Sequence, residues 1–203
     1  MAKLFFNYSV MNAGKTMALL QANHNYLERS AQTCLFTSCL DNRDRKGLIS
    51  SRIGISAEAN LFDQDTNLFN FVVDFCLNAS CVFVDEAQFL NKEQVQQLEK
   101  IVDELNIPVL TYGLRTDFRG EPFEGSKYLL ARADVIHEVR SVCFCGSLAT
   151  MVARYDSNGF AVTDGDSVLI GAESNYCSLC RKHYMHAVNK GMKIEGLKIN
   201  DLS

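Results

Sequence analysis

The residues with the clearest chemistry form one short segment near the N-terminus. Its members are Ser9, Val10, Met11, Asn12, Ala13, Gly14, Lys15 and Thr16. A phosphate-binding loop needs inward-facing backbone N–H groups, a glycine beside the phosphate, a lysine for the β- and γ-phosphates and a hydroxyl for Mg²⁺. Gly14, Lys15 and Thr16 meet the last three needs, although Ser9 replaces the usual leading glycine. The segment therefore predicts nucleotide binding, and a chance Gly-Lys-Thr at a helix start is the weaker alternative.

A second candidate is the acidic pair Asp85 and Glu86, which follows the apolar run Cys81–Val84. Ligands gather at the carboxyl ends of parallel strands, so Asp85 is predicted to hold Mg²⁺ beside the phosphate loop, directly or through water. Glu86 can act as a general base toward the group that attacks the γ-phosphate. The pair leaves two reactions open: Glu86 would orient water in an ATPase and would deprotonate a substrate hydroxyl in a kinase.

Two close cysteine pairs suggest a metal site. They are Cys143 with Cys145 and Cys177 with Cys180, and His183 follows shortly after the second pair. Distant pairs of sulfur or nitrogen ligands are typical of a closed tetrahedral Zn²⁺ site. Spacing alone favours the four cysteines, but Cys180 and His183 have the same two-residue gap. Four free thiols are the remaining alternative.

The elements that must position these residues alternate along the first part of the chain. Predicted strands cover Leu4–Val10, Thr33–Leu40, Cys81–Val84 and Val109–Tyr112, and predicted helices cover Thr16–Arg29, Leu68–Leu77 and Asn91–Leu105. In the last helix Asn91 serves as the N-cap with Gln94 at the third position. Its apolar stripe comprises Val95, Leu98, Ile101, Val102 and Leu105. The alternation predicts an α/β fold with a mainly parallel sheet flanked by helices.

The pattern changes after residue 140. Residues 1–140 are predicted to form a P-loop nucleotide-binding domain and residues 141–193 a small zinc-stapled subdomain with a long loop. Only short strand-like runs such as Ser167–Ile170 occur in the latter. Residues 194–203 are predicted to be a tail.

Composition excludes several classes of protein. The 203 residues are 47% hydrophobic and 22% charged, which is ordinary globular composition and argues against disorder. A net charge of −4 gives no support to nucleic-acid binding. No apolar run reaches the ~20 residues that span a bilayer, and the N-terminus lacks a secretory signal. We therefore expect a cytoplasmic protein without nucleic-acid or membrane partners.

Several motifs together resemble the cytosolic, zinc-containing thymidine kinases, and the chain looks like a bacterial member. The resemblance runs from Lys3 to about Ala187 and rests on Met11–Thr16, Asp41-Asn42-Arg43, Ser51-Arg52-Ile53-Gly54, Val84–Phe89, Tyr112–Phe118, the cysteine pairs and Ile170-Gly171 followed by Tyr176. It implies a RecA-like P-loop fold with a lasso-like loop between the zinc ligands. It also implies transfer of the γ-phosphoryl group of ATP to the 5′-hydroxyl of deoxythymidine, giving dTMP for salvage.

The resemblance further implies roles for individual residues. Glu86 would be the catalytic base. The nucleotide contacts would be Ser9 to Thr16, Asp41, Arg43, Asp85, Glu86, Ala87 and Gln88, with Arg52 a further phosphate-side candidate. The nucleoside contacts would be Met11, Phe89, Leu114, Phe118, Phe123 and Tyr176. The zinc ligands would be Cys143, Cys145, Cys180 and His183.

Partners follow from the same resemblance. The cofactors would be ATP, Mg²⁺ and a structural Zn²⁺, the assembly a homotetramer, and thymidine triphosphate (dTTP) a feedback inhibitor. A P-loop ATPase that uses its zinc module to bind nucleic acid or protein is the alternative function, and the acidic net charge counts against it.

Overall fold

The computed structural model describes residues 1–41, 45–167, 175–191 and 193. The chain divides into two compact units. The first unit contains Met1–Tyr8, Gly14–Leu114 and Phe123–Glu138. The second contains Ser9–Ala13, Arg115–Pro122 and, as far as it is described, Val139–Ser203. The predicted tail 194–203 and residues 168–170 of the predicted run Ser167–Ile170 lie outside the described residues.

A mainly parallel sheet forms the centre of the first unit. Its strands and an accompanying hairpin are β1 (Leu4–Ser9), β2 (Thr33–Ser38), β3 (Leu48–Ser50), β4 (Ser56–Glu58), β5 (Asn60–Phe62), β6 (Cys81–Val84), β7 (Val109–Leu114) and β8 (Val135–Glu138). Within the described residues the sheet has the order β5-β2-β6-β7-β1-β8, while β3 and β4 pair separately. The pairs β1–β8, β2–β5, β2–β6 and β6–β7 are parallel. The predicted α/β architecture is confirmed.

Helices of the first unit pack their apolar residues against this sheet. They are α1 (Lys15–Leu27), α2 (Leu68–Phe75), α3 (Lys92–Leu105) and α4 (Glu124–Arg132). The three predicted helices are present with ends displaced by one or two residues, because turns at Glu28 and Cys76 end α1 and α2 early. Four of the five stripe residues of α3 are buried in the main apolar core, and Leu105 is partly buried against it.

The second unit combines a small antiparallel sheet with one helix. Its elements are β9 (Met151–Tyr155), β10 (Ala161–Val162), β11 (Tyr176–Leu179) and α5 (Arg181–Lys190). The strand order is β10-β9-β11. A separate apolar cluster around Val152, Leu179 and Tyr184 forms the core of this unit, and Val10 belongs to it.

No helix within the described part of the chain is long and apolar enough to cross a bilayer.

The N-terminus of α3 carries the predicted capping box. Asn91 Oδ1 accepts the N–H of Gln94 at 2.9 Å, and Gln94 Oε1 accepts the N–H of Asn91 at 3.1 Å. Asn91→Ala should therefore lower the free energy of unfolding by about 1 kcal/mol, measured by urea denaturation.

Asn91→Asp is the matched control, because it keeps the capping acceptor but loses the amide that donates to the Gln64 carbonyl. It should retain most of the stability. Equal losses in both variants would show that the contact with Gln64, and not the cap, stabilises this helix end.

Candidate functional site

The loop between β1 and α1 has the backbone that phosphate binding requires. Asn12 and Gly14 have φ angles of 60° and 84°, in the left-handed region, and Gly14 is the N-cap of α1. A side chain at Gly14 would meet nothing within 4 Å, so the glycine is required by its φ angle and not by space. Left-handed residues at a helix start turn N–H groups toward a common point, where an anion binds.

The loop is divided between the two units, because Ser9–Ala13 belongs to the second and the residues from Gly14 onward belong to the first. Met11 packs against the apolar cluster of the second unit, and its carbonyl accepts the Ser178 hydroxyl at 2.6 Å. Ser9 is buried, and its hydroxyl donates to the Val10 carbonyl at 2.7 Å. Lys15 and Thr16 open α1 in the first unit.

The acidic pair follows β6, as predicted. Asp85 is only 1% exposed, and its carboxylate accepts the Thr16 hydroxyl at 3.1 Å. A hydroxyl and a carboxylate oxygen at this distance are hard ligands of the kind Mg²⁺ prefers. Burial, with the charges of Cys81 and Asp85 adding to it, raises the pKa of nearby Tyr112 to about 12. These residues therefore fit a divalent cation bound beside the start of α1.

Glu86 has an unusual backbone and a fixed side chain. Its φ angle is 53°, and it precedes a 3₁₀ turn, Ala87–Phe89. The Gln88 amide donates to the Glu86 carboxylate, while Gln88 Oε1 accepts the Leu114 N–H at 3.0 Å. Gln88 is only 2% exposed. The half-buried Glu86 carboxylate is thus held by a buried amide that is itself anchored to β7.

Two glycines allow this turn to pack closely. A Cβ atom at Gly113 would lie 2.9 Å from Gln88 Oε1, and one at Gly125 would clash with the Ala87 carbonyl. Neither the role of these glycines nor the contact between Gln88 and Glu86 is predicted from the sequence. The sequence signal for this contact is that Gln88 lies two residues after Glu86 within the motif Val84–Phe89.

The predicted nucleoside contacts occur in both units. In the first, Phe89 and Phe123 are half-buried and meet edge to face with ring centroids 6.1 Å apart, and Leu114 is half-buried at the end of β7. In the second, Phe118 is only 1% exposed and Tyr176 is half-buried at the start of β11.

The remaining phosphate-side candidates are less enclosed. Asp41 is half-buried, and its N–H donates to the Ser38 carbonyl after β2 at 3.0 Å. Arg52 is exposed between β3 and β4. Arg43 lies outside the described residues.

Four predicted metal ligands come together in the second unit. The ligand atoms of Cys143, Cys145, Cys180 and His183 all lie within 4.8 Å of one another. His183 Nδ1 is 3.3 Å from the sulfurs of Cys143 and Cys180, and the sulfurs of Cys145 and Cys180 are 3.8 Å apart. When four ligand atoms bind one tetrahedral Zn²⁺ with bonds of ~2.0–2.3 Å, the ligand atoms lie at such distances from one another. The donor set and its spacing therefore fit zinc.

Local structure explains this ligand set. Cys143 and Cys145 lie in a tight turn in which the Cys143 N–H donates to the Ser147 carbonyl at 2.8 Å. Cys180 is the N-cap of α5, so one helical turn brings His183 back to it. Hydrogen bonds from the Ser147 hydroxyl and N–H lower the pKa of Cys145 to about 6, which favours the thiolate that binds metal. Among the described residues, Cys177 is not in this cluster.

Comparison with known proteins identifies relatives over almost the whole chain. The family model described as "Thymidine kinase" matches residues 2–184. A thymidine kinase of Ruegeria pomeroyi is 56% identical over 190 residues, covering 92% of this chain and 96% of the relative. That of Agrobacterium fabrum is 53% identical over 191 residues, covering 93% and 99%. That of Aliivibrio fischeri is 52% identical over 192 residues, covering 94% and 100%.

The metal cluster predicts different outcomes for two single substitutions. Cys177→Ser should retain about one zinc per chain, because its thiol is outside the cluster, whereas His183→Ala should lose metal affinity by about 10-fold or more. Zinc content measured by atomic absorption after dialysis against a chelator distinguishes them. Loss of zinc from Cys177→Ser and retention in His183→Ala would establish the four-cysteine set instead.

Proposed function

The chain belongs to the thymidine kinase family, and from this premise we propose that it transfers the γ-phosphoryl group of ATP to the 5′-hydroxyl of thymidine with the assistance of Mg²⁺. The observation that carries the proposed mechanism is the hydrogen bond of 3.1 Å between Thr16 and Asp85, with Glu86 next in the chain. It supports the proposal that the start of α1 binds phosphate, that Thr16 and Asp85 hold a cation and that Glu86 is the base, because all of these residues belong to the first unit.

The phosphoryl donor is assigned to the loop and the start of α1. Backbone N–H groups around Gly14 and the ammonium of Lys15 would bind the β- and γ-phosphates. Thr16 and Asp85 would hold Mg²⁺, which supplies charge neutralisation on the phosphate oxygens when bound. From family resemblance, Asp41 and Arg43 are proposed to act near the phosphates. Ala87 is proposed on the same basis as a further contact with the nucleotide.

Glu86 is assigned as the general base. Its carboxylate would accept the proton of the thymidine 5′-hydroxyl as the O5′–Pγ bond forms and the bond from Pγ to the β–γ bridging oxygen breaks, which releases ADP. The Gln88 amide donates to this carboxylate and is itself held by the Leu114 N–H. The Glu86 side chain therefore keeps one orientation and loses no conformational freedom in each turnover. We therefore propose that Gln88 contributes mainly by holding Glu86.

The thymidine contacts are proposed unit by unit. In the first unit Phe89, Leu114 and Phe123 offer half-buried apolar surface. In the second unit Phe118 and Tyr176 are the proposed aromatic contacts, and Met11 is the proposed contact from the phosphate loop. Such apolar surfaces bind a base, while a few polar groups orient it.

Further properties are proposed from family resemblance. Zn²⁺ would be structural, because its four protein ligands leave no open position for substrate. The enzyme would assemble as a homotetramer and be inhibited by dTTP. Its reaction would take place in the cytoplasm, where ATP is available and the cysteines stay reduced.

The proposed reaction requires that ATP consumption depend on thymidine. ADP and dTMP formation are measured by chromatography with Mg-ATP and a panel of nucleosides, and equal amounts of the two products are expected with thymidine. Lys15→Ala should abolish both while the protein stays folded, since its ammonium acts on phosphate charge in the transition state. ADP release without thymidine would favour the ATPase alternative.

The base assignment predicts the effect of two neighbouring substitutions. Glu86→Gln should lower kcat by ~10²–10⁴, because the amide cannot accept the proton, with a smaller effect on KM for ATP. Gln88→Leu should lower kcat by about 10-fold with KM for ATP little changed, because it removes the amide that holds Glu86 and that accepts the Leu114 N–H. Steady-state kinetics measures both. If Glu86→Gln reduced kcat less than about fivefold, the base would be another residue.

A further inference from the structure

A buried arginine in the second unit has no role in the mechanism described so far. Arg154 lies in β9, the central strand of the small sheet, and is only 8% exposed. Its guanidinium donates to the carbonyls of Asp166 at 2.8 Å and Asp164 at 3.1 Å. A Cβ atom at Gly165 would lie 3.0 Å from the same guanidinium. The turn 164–166 is therefore folded closely around the Arg154 head group.

The guanidinium also lies over an aromatic ring. Its central carbon is 3.8 Å from the centroid of Phe118, the ring proposed to contact thymine. At this distance the cation stacks on the negative face of the ring, and burial strengthens the attraction. The Phe118 backbone is held as well, because its carbonyl accepts the Tyr184 hydroxyl at 2.9 Å. Asp117, next in the chain, accepts the N–H groups of Arg119 and Glu121.

The strand register brings a second proposed contact to the same place. Tyr176 in β11 lies directly opposite Arg154 in β9. Residues directly opposite in an antiparallel pair project from the same face of the sheet. Arg154 thus neighbours both Phe118, by stacking, and Tyr176, by register. No other described arginine or lysine combines these two relations.

We propose that Arg154 is a positioning residue for nucleoside recognition, which fixes the Phe118 ring by stacking on it and fixes the turn 164–166 by its two hydrogen bonds. The proposal rests on the proposed function, since Phe118 contacts thymine only if the chain binds thymidine. Arginine suits this task better than lysine, because its planar fork stacks on a ring while it donates to two carbonyls. Arg154 acts through Phe118 and takes no part in the proton or phosphoryl transfer.

A double-mutant cycle tests whether Arg154 acts through Phe118. Arg154→Met, Phe118→Leu and the double variant are compared for KM for thymidine, KM for ATP and kcat. Each single substitution should raise KM for thymidine about 10-fold, while kcat and KM for ATP stay within about twofold. The double variant should resemble Phe118→Leu alone, because the stacking partner is already gone.

Two further variants keep this test decisive. Arg132→Met is the matched control, since Arg132 forms an ion pair with Glu99 at 2.7 Å in the first unit, and all its kinetic constants should equal those of the wild type. Arg154→Lys keeps the charge without the planar fork and should raise KM for thymidine at least threefold. If circular dichroism shows that the Arg154→Met variant is unfolded, the Arg154→Lys variant takes its place in the double-mutant cycle.

The possible outcomes separate the inference from the proposed function. A wild type that forms no dTMP would overturn the function, and thymidine dissociation constants from calorimetry would then still report on Arg154. If the wild type is active, three results would overturn the positioning role. The first is an unchanged KM for thymidine in Arg154→Met, and the second is a double variant whose effect equals the product of the two single effects. The third is a variant in which kcat falls while KM for thymidine and KM for ATP both rise. The last pattern would show a purely structural arginine.

Discussion

The hydrogen bond between the Thr16 hydroxyl and the Asp85 carboxylate is the contact on which the first unit's site depends. It joins the start of α1 to the end of β6, and it exists because β6 is flanked by parallel strands whose carboxyl ends share one edge of the sheet. A carboxylate as buried as Asp85 is costly unless donors or cations compensate its charge. The proposed divalent cation would compensate this charge beside the start of α1.

Next to this contact the backbone is strained. Glu86 holds a left-handed conformation, which costs a residue with a side chain of order 1 kcal/mol or more and persists only when surrounding contacts enforce it. Here they are the hydrogen bonds of Gln88 and the close packing that Gly113 and Gly125 permit. The strain therefore lies at Glu86, the residue proposed as the general base.

The sequence predicted the elements whose signals are local. The α3 cap and stripe and the bounds of β6 depend on neighbouring residues, and the structure matches them. It did not predict β9 to β11, because two- to five-residue strands have too little periodicity to detect. Contacts between distant segments, such as Ser178 with Met11, leave no sequence signal. For the same reason spacing left two metal ligand sets open, and among the described residues the structure brings together the set that contains His183.

The second unit has short strands and a small apolar core, so other interactions must order it. Cys180, one of the four candidate metal ligands, directly follows β11, so a bound Zn²⁺ would constrain the end of that strand. Arg154 lies opposite Tyr176 at its beginning. A strand of four residues thus has a candidate metal ligand directly after its last residue and pairs with β9 at its first residue. Because Tyr176 is the first residue of that strand, its backbone is held by the ladder between β9 and β11, which Arg154 joins from the opposite side.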